Sequence, residues 1–263
     1  MAKDRGVEQR IRIAEHYKDW AHESIYRDLI SFERHLAELS SVIVLVLESP
    51  GAIAELGLFS AIDEFKSKLL IIIETDHYTS PSFIKLGPID FLEKIHNNFA
   101  ECHRWTAEVD RKMVFDPKAA QELQPDLAGA VLDRIKKPTS ERLYKSDGWL
   151  DTALLICDFI SLKSALTIRE IRGIFEGFGY SKQESEIKQI LFILERVGLL
   201  VMEPKGEQRF YVSIEPRQFF KFQVLDPSFD IDRYRIDTLL THERTDKKRF
   251  RAILEARRRH AKR

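Results

Sequence analysis

The sequence predicts an α/β domain on a small parallel sheet, followed by an α+β domain of winged-helix layout. Three observations carry this. Two apolar stretches, residues 42–47 and 68–73, read as strands buried on both faces of a sheet. Helix-period segments alternate with them, and that alternation builds parallel sheets with right-handed crossovers. Beyond residue 149 the pattern becomes three amphipathic helices and then two short strands.

The elements follow in order. Residues 11–17 alternate loosely and are expected as a first strand. Ile25, Leu29, Phe32 and Leu36 recur at helical spacing, giving a helix over 24–39 with Ser24 as its cap. Strand 42–47 runs into Ser49-Pro50-Gly51 and restarts as a helix from 50 to 65. Strand 68–73 ends in the polar cluster Glu74-Thr75-Asp76-His77. Residues 78–88, with Pro81, Gly87 and Pro88, are expected as a loop, and 89–97 as a helix. No glycine-bearing turn precedes residue 11, so the expectation is a minimal domain or a late start. Residues 98–148, broken by Pro117, Pro125, Pro138 and Gly148, read as a helical connector. An apolar helix spans 149–165. Thr167 and Glu170 are set as a capping box for the next one. After the turn Gly177-Phe178-Gly179-Tyr180, a third helix covers 181–197. Strands at 198–203 and 209–212 are joined through Pro204-Lys205-Gly206.

A chain of 263 residues suits one large domain or two ordinary ones. Its two cysteines make no disulfide framework, which points to a reducing cytoplasm. No apolar run reaches the roughly 20 residues of a membrane span, and the start lacks a secretory core. The formal charge is zero, but charge is segregated. Residues 1–120 carry 15 Lys/Arg against 20 Asp/Glu, 121–241 carry 17 against 19, and 242–263 carry 10 against 3. A basic end points to a nucleic-acid partner or to a solvated tail.

The Ser-Pro-Gly turn holds the chemistry. Ser49 is set to cap the helix, with Pro50 at the first position, where its missing N–H costs nothing. Gly51 admits close approach of a ligand to the backbone, and the free N–H groups of the helix start favour an anion. Helical side chains tilt toward the N-terminus, so Glu55 leans back toward the strand end. A carboxylate there can act as nucleophile or stabilise an oxocarbenium-like centre in glycosidic cleavage. Glu48 can orient a hydroxyl or share a proton. The bland alternative is that the turn only punctuates the chain and Glu55 faces solvent. His77 reads as a surface residue. His16, His22 and His35 have no metal-ligand spacing, and no GxxxxGKS/T or GxGxxG is present.

The stretch Leu47-Glu48-Ser49-Pro50-Gly51-Ala52-Ile53-Ala54-Glu55-Leu56-Gly57-Leu58-Phe59-Ser60 resembles the ESPG-x-x-x-ELG-x-F-S signature of retron effector proteins. Leu29-Ile30-Ser31-Phe32-Glu33 is similar to the Leu-x-Ser-x-Glu segment that precedes it in that family. Ser82-Phe83-Ile84-Lys85-Leu86-Gly87-Pro88 is similar to its Ser-Phe-Ile-x-x-Gly-Pro loop. The resemblance covers residues 11–97; the C-terminal half matches in layout only. It implies a small Rossmann-like, nucleoside deoxyribosyltransferase-like N-glycosidase domain over 1–115 and a connector over 116–148. A winged-helix-like domain over 149–241 and a basic tail over 242–263 follow. It further implies a phage-triggered toxin that hydrolyses NAD, with NAD as substrate and no cofactor. Glu55 falls on the family's catalytic glutamate. Glu48, Ser49 and Gly51 fall on the pocket turn, Glu33 on a secondary carboxylate and Ser82 on the downstream loop. The implied partners are a retron reverse transcriptase and its RNA-linked single-stranded DNA (msDNA), which hold the toxin in check. A homo-oligomer or filament with that complex is also implied. The family's extra first strand, with its glycine-rich turn, has no counterpart here.

In the C-terminal half, helix 181–197 is the expected recognition helix, exposing Lys182, Gln183, Lys188 and Gln189, and the wing carries Lys205 and Arg209. With Lys247, Lys248 and Arg249 of the tail, these are the candidate phosphate contacts. Two further readings stay open, the first within the enzyme class and the second of another class. One is transfer of a base between sugars in place of hydrolysis. The other is a non-catalytic nucleic-acid-binding regulator.

Overall fold

A computed structural model describes residues 11–17, 25–136, 143–223, 226 and 228–260. The chain divides into two compact units. Among the described residues the first holds 11 and 36–136, and the second holds 12–17, 25–35, 143–223, 226 and 228–260. The dividing point falls inside helix α1, Leu29–Leu39. That helix starts later than expected. Asp28 holds its first turn, accepting from the Ser31 N–H at 2.7 Å and from its hydroxyl at 3.0 Å. Ser24 and His22 lie outside the described residues.

The first unit is built on a three-stranded parallel sheet, β1 (Ile43–Val46), β2 (Leu69–Glu74) and β3 (Glu101–His103), with β2 in the centre. Ile43 pairs with Leu69, and Ile72 with Glu101. The expected strand at 11–17 is therefore corrected. Ala14–His16 is a single 3-10 turn, and the third place in the sheet belongs to Glu101–His103. The reason is anchoring elsewhere: Arg12 donates to the Val197 carbonyl at 2.8 Å, within the second unit. All six residues of β2 are buried, as a central parallel strand requires.

Two layers cover the sheet. Helix α2 (Pro50–Ser60) ends before the expected residue 65 and lays Leu56 and Phe59 against Leu45, Ile71 and Ile73. Helix α3 (Thr75–Thr79) and a π-turn, Lys85–Ile89, replace the expected loop. Pro88 offers no N–H there, and the Asp90 N–H reaches back five residues to the Lys85 carbonyl. Helix α4 (Asp90–His96) continues from it. The other face is covered by residues read as a connector. A hairpin, β4 (Thr106–Val109) with β5 (Lys112–Phe115), leads into α5 (Pro117–Glu122) and α6 (Gln124–Ile135). Leu123, Leu127 and Val131 pack on Leu70, Ile72 and Trp105, so these helices belong to the first unit's core.

The second unit runs α7 (Trp149–Lys163), β6 (Ala165–Leu166), α8 (Ile168–Gly177), α9 (Glu184–Arg196), β7 (Val201–Lys205) and β8 (Gln208–Val212). The antiparallel sheet has the order β6-β8-β7. Gly206 turns the hairpin at φ +65. The capping box forms as read: the Thr167 hydroxyl accepts from the Glu170 N–H, and the Glu170 carboxylate accepts from the Thr167 N–H at 2.8 Å. Ile156, Phe175, Ile187, Ile190 and Leu194 form the centre.

Two features depart from the expectation. The basic tail is not frayed: α10 (Ile231–Thr245) leads to α11 (Lys247–His260), whose Ala252, Ile253 and Ala256 are buried on Phe210 and Val212. And α9 is covered along one side by residues 25–35. Tyr26 and Phe32 meet Phe192, each with ring centroids 6.4 Å apart, and the Gln189 side-chain amide donates to the Ile25 carbonyl at 3.0 Å.

His35 stacks on Trp149 at 4.1 Å with its Nδ1 2.8 Å from the Tyr26 hydroxyl. Burial, then the neighbouring Arg34, pulls its pKa from 6.5 to about 4. A base held neutral in the fold stabilises above its ordinary pKa and loses that contribution as pH falls toward the depressed value. The second unit is expected to weaken between pH 6.5 and 4 by up to about 3 kcal/mol from this group. Urea midpoints across that window check it: the wild type should fall more steeply than His35→Phe.

Candidate active site at the carboxyl end of the parallel sheet

Parallel strands all point the same way, so one end of the sheet collects the turns that follow them. In the first unit that end holds the β1–α2 turn, the start of α3 and the residues after β3. The β1–α2 turn forms as read. The Ser49 hydroxyl accepts from the Ala52 N–H at 3.1 Å, and Pro50 opens the helix. Glu48, Ser49 and Gly51 are exposed. A Cβ built on Gly51 meets only the Ser49 oxygen, at 3.6 Å, so the space above the turn is open.

Glu55 is half-buried one turn further along α2. At 100° per residue, Gly51 and Glu55 share a face that borders the buried stripe of Leu56 and Phe59. The carboxylate thus lies at the margin of the core, below an open backbone turn. The segment Ser82–Ile89 packs against this helix, with Ile84 and Ile89 joining the Leu56 cluster. Ser82 itself caps: its hydroxyl accepts from the Lys85 N–H at 3.3 Å. Glu33 lies half-buried on α1, in the part that belongs to the second unit. His77 is exposed on α3.

Two polar clusters in the first unit were given no role in the sequence reading. Glu74, 4% exposed, closes β2; one oxygen accepts from the Asp76 N–H at 2.6 Å and the other from the Thr106 hydroxyl at 2.9 Å. It fixes the α3 turn. The signal was an acid ending a fully apolar central strand. Glu93 is also buried, taking the Tyr78 hydroxyl on both oxygens at 3.1 Å and the Lys85 ammonium at 2.8 Å. Burial pulls the Lys85 pKa down, but its hydrogen bonds to Glu93, Asp90 and Tyr78 win and hold it above the usual lysine range. This network ties the π-turn to α3 and α4. Among the described residues no group of His, Cys, Asp and Glu is arranged to hold a metal ion, and no helix is long and apolar enough to cross a membrane.

The candidate nucleic-acid residues of the second unit separate into two sets. Lys182 is only 11% exposed and is held by Glu186 at 3.0 Å and the Ser146 carbonyl at 3.3 Å. Arg249 is 12% exposed; it binds Asp246 at 3.0 Å, Glu170 at 2.5 Å and the Ala165 carbonyl at 3.1 Å. Both are structural, which corrects their reading as phosphate contacts. Lys205 pairs with Glu255 of α11 at 2.5 Å, and Lys188 with Glu184 at 2.7 Å in an exposed pair. Arg209, Lys247 and Lys248 are exposed and make no ion pair among the described residues.

A family model described as the STM3845 retron effector protein matches residues 2–202. The chain belongs to that family. This retron effector is 37% identical over 228 residues to the Escherichia coli protein named "Retron Ec73 putative ribosyltransferase/DNA-binding protein", covering 80% of the present chain and 66% of the relative. It is 41% identical over 69 residues to "Retron Ec86 putative ribosyltransferase/DNA-binding protein" of the same organism, covering 26% of the present chain and 22% of that relative. The effector therefore spans less than two thirds of the length of each of these relatives.

Proposed function

We propose that this retron effector is an N-glycosidase toxin that hydrolyses NAD to nicotinamide and ADP-ribose. The observation that supports it best is the placement of Glu55. A half-buried carboxylate sits one turn below an open, glycine-bearing helix start at the carboxyl end of a parallel sheet. The Gly51 N–H, which makes no hydrogen bond among the described residues, and the positive end of α2 suit a phosphate of the dinucleotide. Glu55 faces the anomeric carbon of the ribose. The bond from that carbon to the pyridinium nitrogen breaks, and its electron pair leaves with nicotinamide. Glu55 stabilises the positive charge left on the sugar, or bonds to it; water then adds to the same carbon, any bond to Glu55 breaks with its electron pair returning to the carboxylate, and the water's proton passes to solvent. Glu48, exposed on the turn, is assigned to a sugar hydroxyl. The second unit is the winged-helix-like part that binds msDNA, with Arg209, Lys247 and Lys248 as phosphate contacts. The reverse transcriptase and msDNA hold the toxin inactive. The names of both relatives, ribosyltransferase and DNA-binding protein, agree with a glycosyl-transferring site and a nucleic-acid surface in one chain.

Mass spectrometry of a nucleotide panel incubated with the purified chain tests this. Free nicotinamide and ADP-ribose are expected from NAD; base exchange between nucleosides would reassign the site to transfer, and no turnover of any nucleotide would remove the catalytic reading. Gly51→Ala refines the test. The added methyl fits the fold at 3.6 Å from Ser49, so melting should be unchanged while NAD turnover falls roughly tenfold through lost backbone approach.

A further inference from the structure

The second unit contains a cavity of about 150 Å³ beside the end of α7, α10 and α11. Ser161, Ser164, Arg235 and Arg257 line it, with Ile236 and Leu239 as an apolar wall, and no carboxylate is among the lining residues. Arg235 has its partners. It pairs with Asp232 at 2.9 Å and donates to the Ser161 hydroxyl at 3.2 Å and the Arg217 carbonyl at 3.1 Å, and the buried Asp158 adds a further attraction. Arg257 has none. Among the described residues it makes no hydrogen bond or ion pair, and its Nε is buried without a partner. A half-buried guanidinium left in this state carries a desolvation cost that an anion would offset. Hydroxyl donors are also at hand. Ser161 accepts from both Arg235 and the Arg217 N–H, at 3.2 and 3.1 Å, which leaves its own proton to give. The Ser164 side chain, 3% exposed, has no hydrogen bond among the described residues.

We propose that this cavity is a phosphate site, taking the dianionic group of a phosphomonoester on the Arg257 guanidinium and the hydroxyls of Ser161 and Ser164. Guanidinium forks match phosphate oxygens in geometry and charge. Size sets the class of ligand. Pockets for drug-sized molecules run to about 300–1,000 Å³, and a water occupies about 30 Å³. A cavity of about 150 Å³ admits a phosphate and leaves the rest of the ester outside. That remainder is either a free nucleoside or the end of a DNA strand.

Calorimetry on the full chain at fixed ionic strength tests it with inorganic phosphate, AMP, and one oligonucleotide carrying either a 5′-phosphate or a 5′-hydroxyl. Saturable binding of phosphate and AMP points to a free metabolite. Preference for the 5′-phosphorylated strand over its 5′-hydroxyl twin points to a strand end. In either case Arg257→Gln should weaken binding by roughly tenfold or more while leaving the melting midpoint unchanged or higher, because no internal bond is lost. Ser164→Ala, which keeps every charge, should weaken it roughly threefold. Absence of saturable binding by every phosphate-bearing probe would overturn the assignment. So would equal affinity in the wild type and both folded variants. Neither result bears on Glu55.

Discussion

Glu55→Gln should abolish at least 99% of NAD turnover, a roughly hundredfold loss equivalent to about 2.7 kcal/mol of transition-state stabilisation. The substitution keeps the size and shape of a half-buried side chain and removes its charge. Circular dichroism should confirm that the fold survives, and turnover is compared on the folded variant. The loss should fall on kcat rather than KM, since the amide can still occupy the ground-state position. Glu55→Asp is expected to be nearly as poor, because shortening by one methylene withdraws the carboxylate from the reacting carbon. Retention of full turnover by Glu55→Gln would rule out this residue and leave the turn as punctuation between strand and helix.

Arg249→Ala is expected to cost the second unit about 1–2 kcal/mol, as loss of a partly buried set of charge-assisted hydrogen bonds does. Its guanidinium joins three elements: the Asp246 cap of α11, the Glu170 capping box of α8 and the Ala165 carbonyl of β6. Removal leaves the Glu170 carboxylate with its two Thr167 hydrogen bonds and solvent. That acid's pKa is set by burial, which raises it, against the stronger combined pull of Arg249 and the Thr167 N–H and hydroxyl, which lower it. Arg249→Lys should not restore stability, since an ammonium cannot reproduce the forked contacts. The urea midpoint reads this directly. The contrast is Lys247→Ala with Lys248→Ala, on the exposed side of the same helix. There stability should stay within about 0.5 kcal/mol, while nucleic-acid affinity and its salt dependence fall. Loss of stability in the lysine pair with none in Arg249→Ala would reverse the assignment.

These two residues also mark how far the sequence could be read. The β1–α2 turn was legible because three independent signals coincide: an apolar run, a Ser-Pro-Gly stop and a helix restart. The Ser49 cap and the Thr167–Glu170 box were legible for the same reason, being local bonds between residues three apart. Arg249 was not legible. Two of its three partners lie 79 and 84 positions away, and the local pair with Asp246 does not distinguish a clamping arginine from a solvated one in a basic helix. The third strand escaped because Glu101-Cys102-His103 is short and polar, while the better-looking 11–17 is anchored by Arg12 at the end of α9. Lys182 looked exposed because its charge hides a stem that packs. The π-turn at 85–89 was masked by Pro88, which normally argues against any helix.

Residues 25–35 and 143–260 make one unit, while 36–136 make another between them. A nascent chain leaving the ribosome therefore finishes the parallel-sheet unit first. Phe32 and Tyr26 must wait more than a hundred residues for Phe192. Closing so long a loop is slow compared with local folding. During synthesis a sheet with its candidate carboxylate can exist before the part assigned to msDNA does. A cell that makes this chain would then meet the unit proposed to be catalytic before the unit proposed to bind msDNA.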